Sequence, residues 1–150
     1  MSGDKPWLSS FTVELPVKLQ SKSNFRTGKG SSKRWAGLQA FEIVVANKVR
    51  EAIPDDWDMG DKNKPISERP IVIMIISATS NYDAANFSKS VADAVEGIVY
   101  WNDKSLRYPV AESRTDKHVN GVLSFALMAP GSPVSECRRA VGELLCDMDD

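Results

Sequence analysis

The sequence predicts a single α/β (α+β) domain, a mixed β-sheet flanked by helices. Three observations carry that expectation. Ile71–Ile76 is six consecutive apolar residues, five of them Ile or Val, which suits a strand covered on both faces. Leu38, Phe41, Val45, Val49 and Ala52 recur at helical spacing, so Trp35–Ile53 reads as an amphipathic helix. Strand-like and helix-like segments then follow in the order β-α-β-α-β-β-α, and 150 residues are enough for one domain with a real core.

Phe11–Leu19 mixes β-branched and apolar residues and reads as the first strand, interrupted by Pro16. Ser21–Ser32 is rich in Gly, Ser and Lys and is expected to be mobile. Pro54 ends the first helix, and 54–69 is a polar excursion opening on Asp55, Asp56, Asp58 and Asp61, expected as a mobile loop. Ala85–Gly97 is the second helix, with Gly97 as its stop. Arg107–Ala111 and Val119–Met128 are two further strands linked by the polar turn Ser113–His118. Pro133 suits the first turn of a last helix running to about Cys146, with Asp147–Asp150 as an acidic, solvated tail.

Composition excludes several classes. No apolar run approaches the roughly 18–20 residues of a membrane helix, and Met1–Pro6 lacks the regions of a signal peptide, so a cytoplasmic protein is expected. Cys137 and Cys146 fall in one predicted helix about 13 Å apart along its axis, too far for a disulfide. The net charge of −1 announces no nucleic-acid binder, but its distribution is uneven. Residues 1–34 carry seven Lys or Arg and two acids, and from Lys18 to Arg34 there is no acid at all. Lys18, Lys22, Arg26, Lys29, Lys33 and Arg34 form a candidate phosphate-contacting arm spanning 18–34.

Tyr82–Leu106 concentrates the candidate chemistry. Asp83 follows the apolar strand, Lys89 sits on the helix, and Asp103 lies beyond it, which supplies acids for a divalent ion and a cation for a phosphate. Phe87, Val91, Ala94, Val95 and Ile98 make one apolar stripe, while Asn86, Lys89 and Asp93 make a separate polar one. Structural roles account for the same residues. Asp83 can cap the helix from just before it, Lys89 can pair with Asp93, and Asn102-Asp103 can form a tight turn. His118, the single histidine, reads as a surface residue, and Trp35 and Trp101 are candidates either for stacking on unpaired bases or for packing on the sheet.

Asp83-x-x-Asn86-x-x-Lys89-x-x-x-Asp93-Ala94-x-x-Gly97, followed by Asn102-Asp103-x-x-Leu106, resembles the core of RusA-type Holliday-junction resolvases, with D-x-D-N-x-x-K-x-x-x-D-A-L-x-G and then D-D-x-Q-V. Ser21-Lys22-Ser23-Asn24-Phe25-Arg26 is similar, less closely, to that family's P-P-S-x-N-x-x-W/Y-R segment. The resemblance implies a small, dimeric, Mg²⁺- or Mn²⁺-dependent endonuclease acting on four-way junctions or other branched DNA. It implies catalytic roles for Asp83, Lys89 and Asp103, metal ligation by Asp83 and Asp103, and site-shaping by Asn86 and Asn102. Ala85 stands where the family has a second aspartate, and Asn102 where it has the first of a pair. Helical phase puts Asp93 on the side of Lys89, where it is a candidate replacement ligand. Two rivals keep the basic arm in view differently: a branched-DNA binder that has lost cleavage, and a protein–protein adaptor that leaves the arm unexplained.

Overall fold

A computed structural model describes residues 5–16, 31–78, 81–113 and 121–149. It contains β1 (Ser9–Glu14), α1 (Ser31–Ala52), β2 (Ile71–Ala78), α2 (Asn81–Val95), β3 (Leu106–Ser113), β4 (Val122–Met128) and α3 (Val134–Asp149), with single 3₁₀ turns at Ile66–Glu68 and Asp103–Ser105. The order of helices and strands matches the sequence expectation.

The strands form one mixed sheet in the order β1-β4-β2-β3. β4 runs antiparallel to both neighbours, and β2 and β3 run parallel, joined through α2 as a βαβ unit. Although consecutive in sequence, β3 and β4 are not neighbours; β2 lies between them. Of the segment expected to link them, Ser113 is the last residue of β3, and 114–118, including His118, lie outside the described residues.

Period-two alternation in the central strands builds two cores. Val72, Met74 and Ile76 of β2, with Leu123, Phe125 and Leu127 of β4, meet α1 and α2 through Phe41, Val45, Val49, Val91 and Val95. Ile73 and Ile75, with Val122, Ala126 and Met128, meet α3 through Cys137, Ala140 and Leu144. The unbroken apolar run of β2 is thus a strand covered by helices on both sides. A register shift between Ile73 and Met74 leaves Tyr108 unmatched, and Pro109, which has no N–H, sits on the edge strand where that loss is tolerated.

Several boundaries differ from the expectation. β1 ends at Glu14, before Pro16, and Leu15 extends the pairing by one bond to the carbonyl of Gly121 at 2.8 Å. α1 begins four residues early, so Lys33 and Arg34 belong to its first turns rather than to an arm. α3 runs to Asp149 and takes in most of the expected acidic tail. Cys137 and Cys146 are both free thiols on that helix, the first buried and the second exposed.

The 54–69 excursion, expected to be mobile, is a structured segment. The indole N–H of Trp57 donates to the Val99 carbonyl at 2.9 Å, and its ring packs edge-on against Phe11. Asp58 and Asp61 close local turns onto the N–H groups of Gly60 and Asn63, at 2.8 and 2.9 Å. Arg69 donates from Nε and Nη2 to the carbonyls of Lys64 and Lys62, at 2.8 and 2.7 Å. The polar residues that obscured any periodicity are therefore the ones that satisfy this segment's backbone.

Candidate functional site

α2 positions the motif. Val91 and Val95 are fully buried in the core between helix and sheet, with Ala92 and Ala94 packed beside them and Ser90 buried as well. That burial fixes the rotation of the helix and leaves Lys89 exposed on the opposite side. Lys89 has no ion-pair partner among the described residues, so the simple pairing with Asp93 across one turn is not formed. Asp93 is half-buried and lines a shallow groove against α1, next to Glu42 and Arg50.

The helix starts at Asn81, four residues before the expected start. Asp83 is therefore inside the first turn of α2 rather than in front of it. A carboxylate there favours the positive end of the helix dipole without being the cap itself. The backbones of Asp83 and Asn86 belong to α2, and their side chains lie outside the described residues.

The C-terminal end of α2 is closed by a specific set of contacts. Gly97 takes φ +84°, a left-handed conformation that lets the chain leave the helix, and its N–H donates to the Tyr100 carbonyl at 2.7 Å. The Tyr100 hydroxyl donates to the Ala92 carbonyl at 2.6 Å, satisfying one of the last carbonyls of the helix. Burial, reinforced by the carboxylates of Asp103, Glu96 and Asp93, pushes this phenol above the usual tyrosine range. Tyr100 is thus the buried neutral group around which three acids gather, and Glu96 and Tyr100 are its members that the sequence did not single out.

Asn102 and Asp103 open β3. The Asn102 side chain accepts from the Lys104 N–H at 2.9 Å, the local turn role open to it from sequence, and Asp103 stands exposed in the 3₁₀ turn that follows.

Topology decides which of these residues meet. Leu106 pairs with Val72 at the start of β2, and Ser113 pairs with Ala78 at its end. Asp103, just before Leu106, is therefore at the end of the sheet where β2 begins. Asp83, just after β2, is at the other. The twelve residue steps from Asp83 to Val95 span about 18 Å of helix axis. The carboxylates of Asp93 and Asp103 both act electrostatically on the Tyr100 phenol, and Lys89 lies between the two ends, but Asp83 and Asp103 are not brought together within one protomer. Among the described residues no group of three His, Cys, Asp or Glu side chains is arranged to hold a metal ion. Within a single protomer these residues do not fit an ion shared by Asp83 and Asp103.

Of the candidate arm, Lys18, Lys22, Arg26 and Lys29 lie outside the described residues, and Lys33 and Arg34 are placed by backbone only. Trp101 is 37% exposed; its indole N–H donates to the Gly60 carbonyl at 2.7 Å, and the Lys62 ammonium lies 5.9 Å from the ring centroid. No helix among the described residues is long and apolar enough to cross a membrane. No known family model matches the chain, and no curated protein matches it either.

Proposed function

We propose that the chain is a dimeric, Mg²⁺- or Mn²⁺-dependent endonuclease that resolves Holliday junctions or other branched DNA in recombination and repair. The observation that supports this best is the exposed, unpaired Lys89, carried on a helix whose ordered motif Asp83, Asn86, Lys89, Asp93 leads to an exposed Asp103. A lysine held on a rigid helix and free of a carboxylate is suited to neutralise charge on a phosphodiester oxygen. Lys33 and Arg34 add to the reading, since they crowd cations at the start of α1, which has no acid in its first turn. That arrangement is unfavourable for the helix alone and is relieved by phosphate.

The separation of Asp83 from Asp103 makes the dimer part of the proposal. One protomer supplies Asp83 and the other Asp103 to each metal centre, and two such centres face the two-fold-related strands of a junction.

A second reading is favoured by Ala85, by Asn102 and by the same separation: a relative that binds branched DNA without cutting it. Cleavage of a labelled synthetic four-way junction with Mg²⁺ or Mn²⁺, beside binding of that junction in EDTA, tests both. Symmetric metal-dependent nicks are expected. Tight binding without nicks selects the second reading, and the absence of both overturns the nucleic-acid role.

A further inference from the structure

A cavity of about 350 Å³ opens at the end of the sheet where β2 and β3 begin. Three segments distant in sequence wall it: the end of the 54–70 segment through Arg69, the turn into β3 through Lys104, Ser105 and Arg107, and the start of α3 through Ser132 and Val134. Its lining carries three cations and no carboxylate, in a protein whose net charge is −1.

Those cations differ in how they are held. Arg69 is fixed by its two bonds to the Lys62 and Lys64 carbonyls, so its guanidinium stands in place before any ligand arrives. Lys104 and Arg107 have no carboxylate partner among the described residues. Arg107 reaches the floor of the cavity electrostatically: burial raises the Cys137 thiol, and the Arg107 guanidinium pulls it back down. Glu136, in the first turn of α3, is itself paired with Arg139 at 3.5 Å.

Ser105 supplies a second kind of observation. It is only 4% exposed and lines the cavity, so a hydroxyl is held in place on the wall. The first turn of the 16-residue α3 adds the positive end of a helix dipole at the rim, at Val134.

We propose that this cavity is a phosphoryl-binding site for a phosphate ester of about mononucleotide size, with Lys104, Arg107 and the Ser105 hydroxyl contacting the phosphate oxygens. The volume exceeds what a lone phosphate fills and lies within the range of small-ligand pockets. The ester can come from a free nucleotide or from a nucleic-acid backbone. The site does not depend on whether the chain cleaves DNA.

The test is titration of the whole ¹⁵N-labelled protein, at constant chloride ionic strength, with inorganic phosphate, a deoxymononucleotide and a short single-stranded oligonucleotide. Saturable shifts at the Ser105, Arg107 and Val134 amides are expected. A tighter mononucleotide than oligonucleotide identifies the free ester as the source, and the reverse order identifies the backbone. Lys104→Ala with Arg107→Ala is expected to weaken binding at least about tenfold. Val134 is 54% exposed, so Val134→Glu adds a carboxylate at the rim without disturbing the core and is expected to abolish binding at unchanged Tm. No saturable shift with any of the three, or shifts indifferent to Val134→Glu and to the double variant, overturns the proposal.

Discussion

The indole N–H of Trp101 donates to the Gly60 carbonyl at 2.7 Å, tying the 54–70 segment to the corner where Asp103 opens β3. Gly60 itself has φ +78°, and a Cβ built there would lie 2.8 Å from Cδ of Pro70. A tryptophan on one side and a proline ring on the other thus confine a residue whose backbone only glycine adopts easily.

Gly60→Ala should therefore cost more than Gly97→Ala. Both positions have positive φ, at +78° and +84°, but the space beside Gly97 is open. The left-handed conformation alone costs an L residue about 1–2 kcal/mol, and only Gly60 adds a collision with a ring. Urea unfolding of the two variants checks this, and equal losses would contradict the close packing.

The Tyr100 hydroxyl gives stability a dependence on alkaline pH. Its phenol is raised in the folded chain above the ordinary 10.0, so the folded state keeps a proton that the unfolded state gives up. That stabilisation is fully present below about pH 10 and is lost as pH rises toward the folded value. The slope contributed is about 1.4 kcal/mol per pH unit. Tyr100→Phe should be less stable at neutral pH by about 1 kcal/mol, from the lost bond to Ala92, and should lack this contribution above pH 10. Denaturant midpoints from pH 8 to 11 measure both effects.

The two-sided burial of β2 sets a third expectation. Ile75 is fully buried in the α3-side core, and Ile75→Ala should cost about 2–5 kcal/mol. Ile43, 60% exposed on α1, should change stability by no more than about 0.5 kcal/mol when replaced by Ala. Chemical denaturation of both variants tests whether the sheet is covered on both faces.

Mixing experiments address the proposed shared metal centre. Asp83→Asn and Asp103→Asn homodimers should each lose cleavage by at least two orders of magnitude. In a mixed dimer both substitutions fall in one centre and the other centre is whole, so mixing should restore single nicks but not paired ones. If each centre instead lay within one protomer, both would be damaged and mixing would restore nothing.

The sequence made the element order legible because hydrophobic periodicity is local. Val45 and Val49, or Ile73 and Ile75, announce their faces without reference to the rest of the chain. The helix starts were less legible. Ser31 and Asn81 begin their helices outside the apolar stripes from which the helices were read. The candidate site was read from closeness in sequence, which a straight helix defeats: α2 carries the chain from one end of the sheet to the other between Asp83 and Asp103. The cationic cavity was invisible for the opposite reason, since Arg69, Arg107 and Val134 meet only in the folded chain.

The strand order carries a consequence for synthesis. β1 is joined to the sheet only through β4, which spans Val122–Met128 and is made after 121 other residues. While the chain emerges from the ribosome, β1 has no neighbour to pair with and one flank of β2 stays bare. The nascent protein therefore exposes its most apolar strand from the completion of Ile71–Ala78 until Val122–Met128 follows, the interval in which holding chaperones and off-pathway aggregation compete for it. Chains cut short before residue 122 retain the β2–β3 pair alone and should be cleared as unfolded fragments.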